Sequence, residues 1–404
     1  GRAVGREAEG DPPQVARRPP RRQGRNPPTH ATHGDAEAAR GLAGGSCGER
    51  VGRSHGRGRI AAKAAAVARG AADRSPVGSQ NLSWGAPRDR GARAFMDRTL
   101  LTRHKGDYLA SSFFQGGADG FVDTVDPSTG VPLDRVPFRL AAVGEAVADA
   151  RASSSAWGAV PVSQRLEILR RMCDLLDGRR GELAALVSRE SGKALWEAQL
   201  EAVAAVRAVE LMLDQGAAIL ADAPHPNAQG SLRRRTVGVV GVVTPFPYPL
   251  YVPIQLLVPV LLAGNTVVWK PSSQVPLSSQ RLAEVFDSAR IPSGVLSMLQ
   301  GPADPLGKAL VRNPGLDMVV AACSATTARA LRKGPSRQRV WAQAGGKGWA
   351  IVCADADLDR AAYEVVTSAF LTGGQRCNAT SRVLVERTVA QEFLKRVVAL
   401  TGTM

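Results

Sequence analysis

The stretch from Arg235 to Glu386 predicts an α/β protein with a parallel sheet doubly wound by helices. Short apolar runs alternate there with amphipathic stretches, valine is concentrated in the short runs, and Gly, Pro and Asn occupy the brief connections. Strands joined in this way by helical crossovers form a parallel sheet covered on both faces. Ligands of such sheets bind in the crevice at the C-terminal ends of the strands.

Taken in order, residues 237–243 are a valine-rich strand and residues 250–262 read as a helix. A strand over 266–269 and a helix over 277–289 follow. Strands over 295–299, 318–321, 349–353 and 382–385 continue the alternation with helices over 304–311, 325–332 and 358–370. Upstream, Asp126-Pro127-Ser128-Thr129-Gly130 is a turn signal between two extended runs inside 121–138. Leu166, Leu169, Cys173 and Leu176 repeat at helical spacing, and 194–213 forms a longer apolar-striped helix, so a helical layer packs on the sheet. The polar segment 222–236 reads either as extended edge strands used in self-association or as a surface loop.

Composition places the charge away from this core. Residues 1–95 hold 18 Lys and Arg against 8 Asp and Glu, which is +10 of the formal +16 carried by 404 residues. The segment is rich in Arg, Gly, Ala and Pro, contains Arg17-Arg18-Pro19-Pro20-Arg21-Arg22, and shows no sustained apolar periodicity. Such a composition buries too little apolar area to offset chain entropy, and the reading is a disordered basic extension. An arm for nucleic acid, an organelle-targeting peptide and a stretch outside the native protein, with Met96 as the start, all fit it. Beyond Trp84 and Phe95 it offers no aromatic platform for bases, which favours the last and argues against nucleic acid. The longest hydrophobic run, 250–263, is too short and proline-broken to span a bilayer, and the expectation is a soluble, cytoplasmic protein.

Five cysteines, at 47, 173, 323, 353 and 377, form no Cys-x-x-Cys pair and have no histidines at ligand spacing, so no metal site is expected. His104 and His225, the two histidines outside the extension, are read as surface residues. Two other patterns are set aside. Gly301 to Ala309 has one residue too many for a phosphate loop and is read as a helix start, and the Asn378-Ala379-Thr380 acceptor lacks a secretory signal.

Cys377 is the candidate reactive atom. It ends the run Ser368-Ala369-Phe370-Leu371-Thr372-Gly373-Gly374-Gln375-Arg376-Cys377, where a guanidinium, backbone N–H groups or a helix end can favour the thiolate. The alternative is a small buried hydrophobe, the commonest fate of a free cysteine.

Several runs in order carry a resemblance. They are Glu190-Ser191-Gly192-Lys193, Leu262-Ala263-Gly264-Asn265-Thr266 leading to Trp269-Lys270-Pro271, Ile291-Pro292-Ser293-Gly294-Val295, Gly345-Gly346-Lys347, Asp355-Ala356-Asp357-Leu358-Asp359, and the cysteine run. From about residue 107 to 404 the chain resembles an NAD(P)-dependent aldehyde dehydrogenase, nearest the succinylglutamate-semialdehyde branch. The resemblance implies a Rossmann-like cofactor domain over 96–343, with the oligomerisation segment near 222–236, and the start of a second α/β catalytic domain over 344–404. It also implies NAD or NADP as cofactor, a small aldehyde as substrate and a homo-oligomer as assembly. Thr244, Pro245, Phe246, Lys270, Ser272, Ser324 and Thr327 take the cofactor-binding positions. Lys270 resembles the family lysine that hydrogen-bonds the adenosine ribose, with a solvated lysine after a strand as the plain alternative.

The departures matter as much as the matches. Gln343 stands at the position of the family's general-base glutamate, and Pro247 at that of its oxyanion asparagine. Loss of the base would slow thioester hydrolysis by about 10² to 10⁴, and loss of the donor would cost on the order of 10² to 10³. Cys323 and Ala328 replace the glycines of the family's Gly-Ser-x-x-x-Gly turn. Only 27 residues follow Cys377, so the chain reads as a fragment or a degenerate copy. Three functions compete: hydrolytic aldehyde oxidation, oxidation with acyl transfer to a thiol such as coenzyme A, and a catalytically silent relative.

Overall fold

The computed structural model describes residues 103–114, 117–224, 229–334 and 338–404. The readings placed on residues 1–95, Cys47, Met96 and His225 lie outside the described residues.

Among the described residues the main sheet has seven strands in the order β11-β10-β7-β8-β9-β1-β2. Its parallel part is β7 (Val239–Val243), β8 (Thr266–Lys270), β9 (Leu296–Met298), β10 (Met318–Cys323) and β11 (Arg339–Ala344). The strands read at 237–243, 266–269, 295–299 and 318–321 thus form within one or two residues of the expected bounds. Two departures are findings. An antiparallel pair, β1 (Asp107–Leu109) and β2 (Ser112–Phe114), extends the β9 edge through Tyr108 opposite Met298, making the sheet mixed. On the other edge lies β11, a strand that the alternation does not include, with Gln343 opposite Ala322 of β10. Both escape pattern reading because three-residue strands and a half-exposed edge strand carry too little alternation.

The parallel strands alternate their side chains between two cores, as the two-residue period of a strand requires. Val240, Val242, Val267, Trp269 and Val320 face one cluster, and Val239, Val268, Val319 and Ala321 the other. On the second face lies α1 (Ala141–Ala159), which supplies Val143, Ala146 and Val147. The first is covered by α2 (Val162–Gly178), α3 (Arg180–Ser191), α4 (Leu195–Leu220), α5 (Tyr251–Leu262) and α6 (Pro276–Ser288). Leu166, Leu169, Cys173 and Leu176 all turn inward from α2, as their spacing predicts. Each fully buried side chain of this size contributes about 1.5–3 kcal/mol.

The chain after β9 forms a helical turn over Ala303–Gly307 that runs into α7 (Lys308–Val311), the helix start read there in place of a phosphate loop. The short α8 (Ala325–Leu331) connects β10 to β11. The Asp126–Gly130 turn joins β3 (Gly120–Val125) to β4 (Pro132–Phe138) in an antiparallel hairpin. Within 222–236, β5 (Ala223–Pro224) pairs antiparallel with β6 (Ser231–Leu232).

Residues 348–401 form a smaller layer. β12 (Gly348–Val352) and β13 (Thr380–Val385) pair in parallel, and α9 (Leu358–Phe370) and α10 (Ala390–Thr401) cover one face around Val352, Ala362, Val365 and Phe393. Asp357 caps α9 by accepting the N–H groups of Asp359 and Arg360. The opposite face exposes Trp349, Ile351 and Leu384.

His104 corrects an expectation. Read as a surface residue, it is buried at 6% exposure. Its Nδ1 accepts the Gly106 N–H at 3.0 Å and its backbone N–H donates to Asp134. Burial pushes its pKa down to about 4, against the pull of Asp134. Sequence pattern gives a lone histidine no depth.

Candidate functional site: strand ends, a cysteine turn and the corner that ties them

Lys270 closes β8 at the C-terminal edge of the sheet. It is 3% exposed, donates from Nζ to the Pro271 carbonyl at 2.7 Å, and burial lowers its pKa to about 8. A Cβ added to Gly307 would lie 3.5 Å from the lysine stem, so the turn after β9 packs along it. Beside it, Thr244 donates its N–H to the Lys270 carbonyl and accepts from Trp269 Nε1 at 3.0 Å. Thr244 and Lys270 therefore meet, as expected of residues at adjacent parallel strand ends. Ser272 follows, half-buried, and accepts the Gln274 N–H.

Pro245, Phe246, Pro247 and Tyr248 carry the chain, half-buried, from β7 to α5. Pro247 offers neither N–H nor carboxamide to a developing oxyanion. Tyr248 takes φ 56°, and its ring receives the Lys193 ammonium 4.4 Å from the centroid. Ser324 and Thr327 follow β10, which β7 separates from β8 and Lys270. They are exposed, they bond each other at 3.0 Å, and Ser324 caps α8 through the Thr327 N–H.

Cys377 is exposed and stands beside Gly345: a Cβ built on that glycine would come within 3.9 Å of the cysteine Cβ. Gly345 is anchored by its N–H to the Cys323 carbonyl, which brings the end of β10, the segment after Gln343 and the cysteine together. Gln343 is exposed, two residues before Gly345. Burial raises the Cys173 thiol to about 11 and also raises that of Cys323, which makes both poor nucleophiles at neutral pH.

The turn that presents Cys377 runs through three consecutive left-handed residues, Thr372 (φ 56°), Gly373 (61°) and Gly374 (71°). Glycine takes this region freely and threonine does not. Two contacts hold the turn. Thr372 donates its N–H to Glu197 Oε1 at 2.5 Å, and Gln375 donates from Nε2 to the Ser191 carbonyl at 3.0 Å.

Both contacts lead to the corner between α3 and α4, residues 190–201, from which two further fastenings start. Glu190 accepts the Leu277 and Ser278 N–H groups at 2.7 Å each, capping α6, which has no side-chain cap of its own. Glu201 accepts the N–H groups of Leu250 and Tyr251 at the start of α5 and pairs with Lys193 at 2.6 Å, with both side chains fully buried. Gly192 makes the corner possible: at φ 74° it ends α3, and a Cβ there would meet Pro127 Cγ at 2.7 Å.

Sequence reading quoted Glu190 to Lys193 only as one run of a resemblance, and it passed over Glu197 and Glu201. A signal existed. The two acids fall on the same face of α4 as Ala198, Ala205 and Val209, and a carboxylate on an apolar stripe must be bonded once buried.

A profile of the aldehyde dehydrogenase family matches residues 114–404. Over 304 residues the chain is 33% identical to N-succinylglutamate 5-semialdehyde dehydrogenase of Chromobacterium violaceum, covering 74% of this chain and 62% of that protein. A solved NAD-dependent aldehyde dehydrogenase from Sinorhizobium meliloti is similar with a TM-score of 0.70 and 30% identity, over 76% of this chain and 63% of that one. An NADP-dependent glyceraldehyde-3-phosphate dehydrogenase from Bacillus halodurans, solved with NADP, gives 0.70 and 27%, over 75% and 66%. The chain thus spans about three fifths of the curated relative's length.

Proposed function

Since the chain belongs to the aldehyde dehydrogenase family, we propose that it serves the NAD(P)-dependent oxidation of a small aldehyde, of semialdehyde type, with Cys377 as the nucleophile. The observation that carries this reading is the presentation of Cys377: exposed, beside Gly345, on a turn fastened to the same corner that caps the helices following the β7 and β8 strand ends. On this reading residues 344–404 open the catalytic domain. Residues 222–236 join copies of the chain, and the enzyme works in the cytoplasm.

NAD or NADP, when bound, supplies the hydride acceptor. The residues fit a nucleotide at one point and fit it poorly at another. Lys270 has three ammonium N–H bonds and one acceptor, Pro271, among the described residues, which leaves donors for a ribose at the strand ends. Ser324 and Thr327 satisfy each other, and the side chains of Cys323 and Ala328 stand where glycines would admit a pyrophosphate.

The chemistry assigned to the chain's own atoms is brief. Cys377 Sγ, as thiolate, adds to the aldehyde carbon, and the C=O electron pair moves to the oxygen. That oxygen lies within reach of the Cys377 backbone N–H; Pro247 contributes no second donor. After the C–H hydride has left, the carbonyl reforms as a thioester on Sγ, which an incoming oxygen or sulfur nucleophile cleaves. Gln343 cannot take a proton from water, an observation that favours a thiol acceptor such as coenzyme A as the second reading.

The test is a rapid-mixing assay of NADH formation with an aldehyde. A burst that disappears in Cys377→Ser supports the reading, and turnover unchanged by that substitution removes it. Added coenzyme A accelerates the steady state only on the thiol-acceptor reading. A chain showing neither burst nor turnover is the silent relative.

A further inference from the structure

We propose that Glu197 is the positioning residue of the cysteine turn: its buried carboxylate holds the Thr372 N–H and thereby fixes where Cys377 sits against Gly345 and the strand ends. The kinetic consequence of this role rests on the aldehyde-oxidising reading, and its structural consequence does not.

Glu197 lies in the first turn of α4 and is 8% exposed. Nothing in the packing of that helix face asks for an acid. Its neighbours there are Ala198, Ala202, Ala205, Val209 and Glu201, and Glu201 is taken up by Lys193 and the start of α5. A carboxylate removed from water is costly unless its oxygens are bonded, so its presence is explained by what it holds. What it holds is a strained point: Thr372, a β-branched residue at φ 56°, at the start of the left-handed run that reverses the chain after α9. A charged acceptor on that N–H stabilises a conformation the residue would otherwise leave.

Farther along the turn, the Thr372 carbonyl accepts the Gln375 N–H at 3.0 Å, and the Gln375 side chain reaches the Ser191 carbonyl. Ser191 and Glu197 flank Lys193, whose buried pair with Glu201 immobilises the corner between them. The turn is thus tied at two points to one rigid support, and the second tie is two residues from Cys377. Reacting groups displaced by about 1 Å lose on the order of 10²-fold in rate, so such a support has catalytic weight without touching substrate.

Hydrogen–deuterium exchange on the full chain tests this directly. In Glu197→Ala the amides of residues 371–376 are expected to exchange about 10- to 100-fold faster, while α1 stays as in the wild type. Glu197→Gln, whose amide oxygen still accepts, restores most of the protection. In an active enzyme the alanine variant lowers kcat by roughly 10-fold or more and leaves the KM for NAD unchanged. Wild-type protection in Glu197→Ala overturns the proposal, as does a glutamine variant as disrupted as the alanine one. Should Glu197→Ala fail to fold, Glu197→Met, which keeps the side-chain volume and removes the acceptor, is measured in the same way, and unchanged exchange over 371–376 overturns it equally. Faster exchange in a chain without dehydrogenase activity keeps the role of Glu197 and removes the functional reading instead.

Discussion

At the scale of single residues, the chemistry turns on which atoms accept a proton. Cys377 is an exposed sulfur beside a glycine, whereas Cys173 and Cys323 are held as thiols by burial. Gln343, two residues before Gly345, has no basic oxygen, and Pro247 has no donor. Gln343→Glu combined with Pro247→Asn is therefore expected to raise thioester release to water by about 10² to 10⁴. The steady-state rate after the NADH burst reads this out. A double variant with wild-type turnover would mean that water is not the acceptor or that the cofactor site limits the reaction. The identity of these residues was legible in the sequence, and the roles proposed for Gln343 and Pro247 rest on the resemblance. The state of His104 was not legible, because only burial separates a surface histidine from one pushed down to about 4.

At the scale of elements, α5 and α6 begin without side-chain caps of their own and are capped by Glu201 and Glu190 of the corner. Leaving the first N–H groups of a buried helix unbonded would cost more than either helix recovers locally, so the corner is part of both helices. Lys193→Met would strand the Glu201 charge in the interior at the start of α5. The expected loss is about 3–5 kcal/mol in denaturant unfolding, whereas removing Arg207 from its exposed pair with Glu210 should cost about 1 kcal/mol or less. Equal losses in the two variants would refute the buried-pair account. The central strands and the helices α2, α4 to α6, α8 and α9 were readable from the sequence, whereas α1, α3 and α10 were not read there. The edge strands β1, β2 and β11 were not, because half of each is exposed or the strand is too short for a period to show.

At the scale of the whole molecule, a few buried acids tie stability to pH. Burial pushes Glu190 up to about 7 from 4.5, against the N–H groups of Leu277 and Ser278 that favour its charged form. The folded chain then keeps a proton that the unfolded chain releases between those values. Its contribution to stability is complete below about pH 4.5 and is lost as pH rises through about 7. Asp107, raised to about 7 by burial, acts in the same direction, and His104 acts in the opposite one. Glu190→Gln should flatten the fall in Tm between pH 5 and pH 8 in calorimetry; parallel profiles for variant and wild type would dismiss the assignment. By itself the sequence determined the parallel α/β core and the order of its central strands, since these depend on periods of two and 3.6, and it named Cys377, Gln343 and Pro247 through residue type and a resemblance. Only the tertiary structure decided that Glu190, Glu197 and Glu201 are interior acids, and that one corner holds the starts of two helices and the cysteine turn together. Those contacts join residues separated by 49 to 175 positions, and burial turns an ordinary surface-type carboxylate into a group that must bond whatever chain passes it.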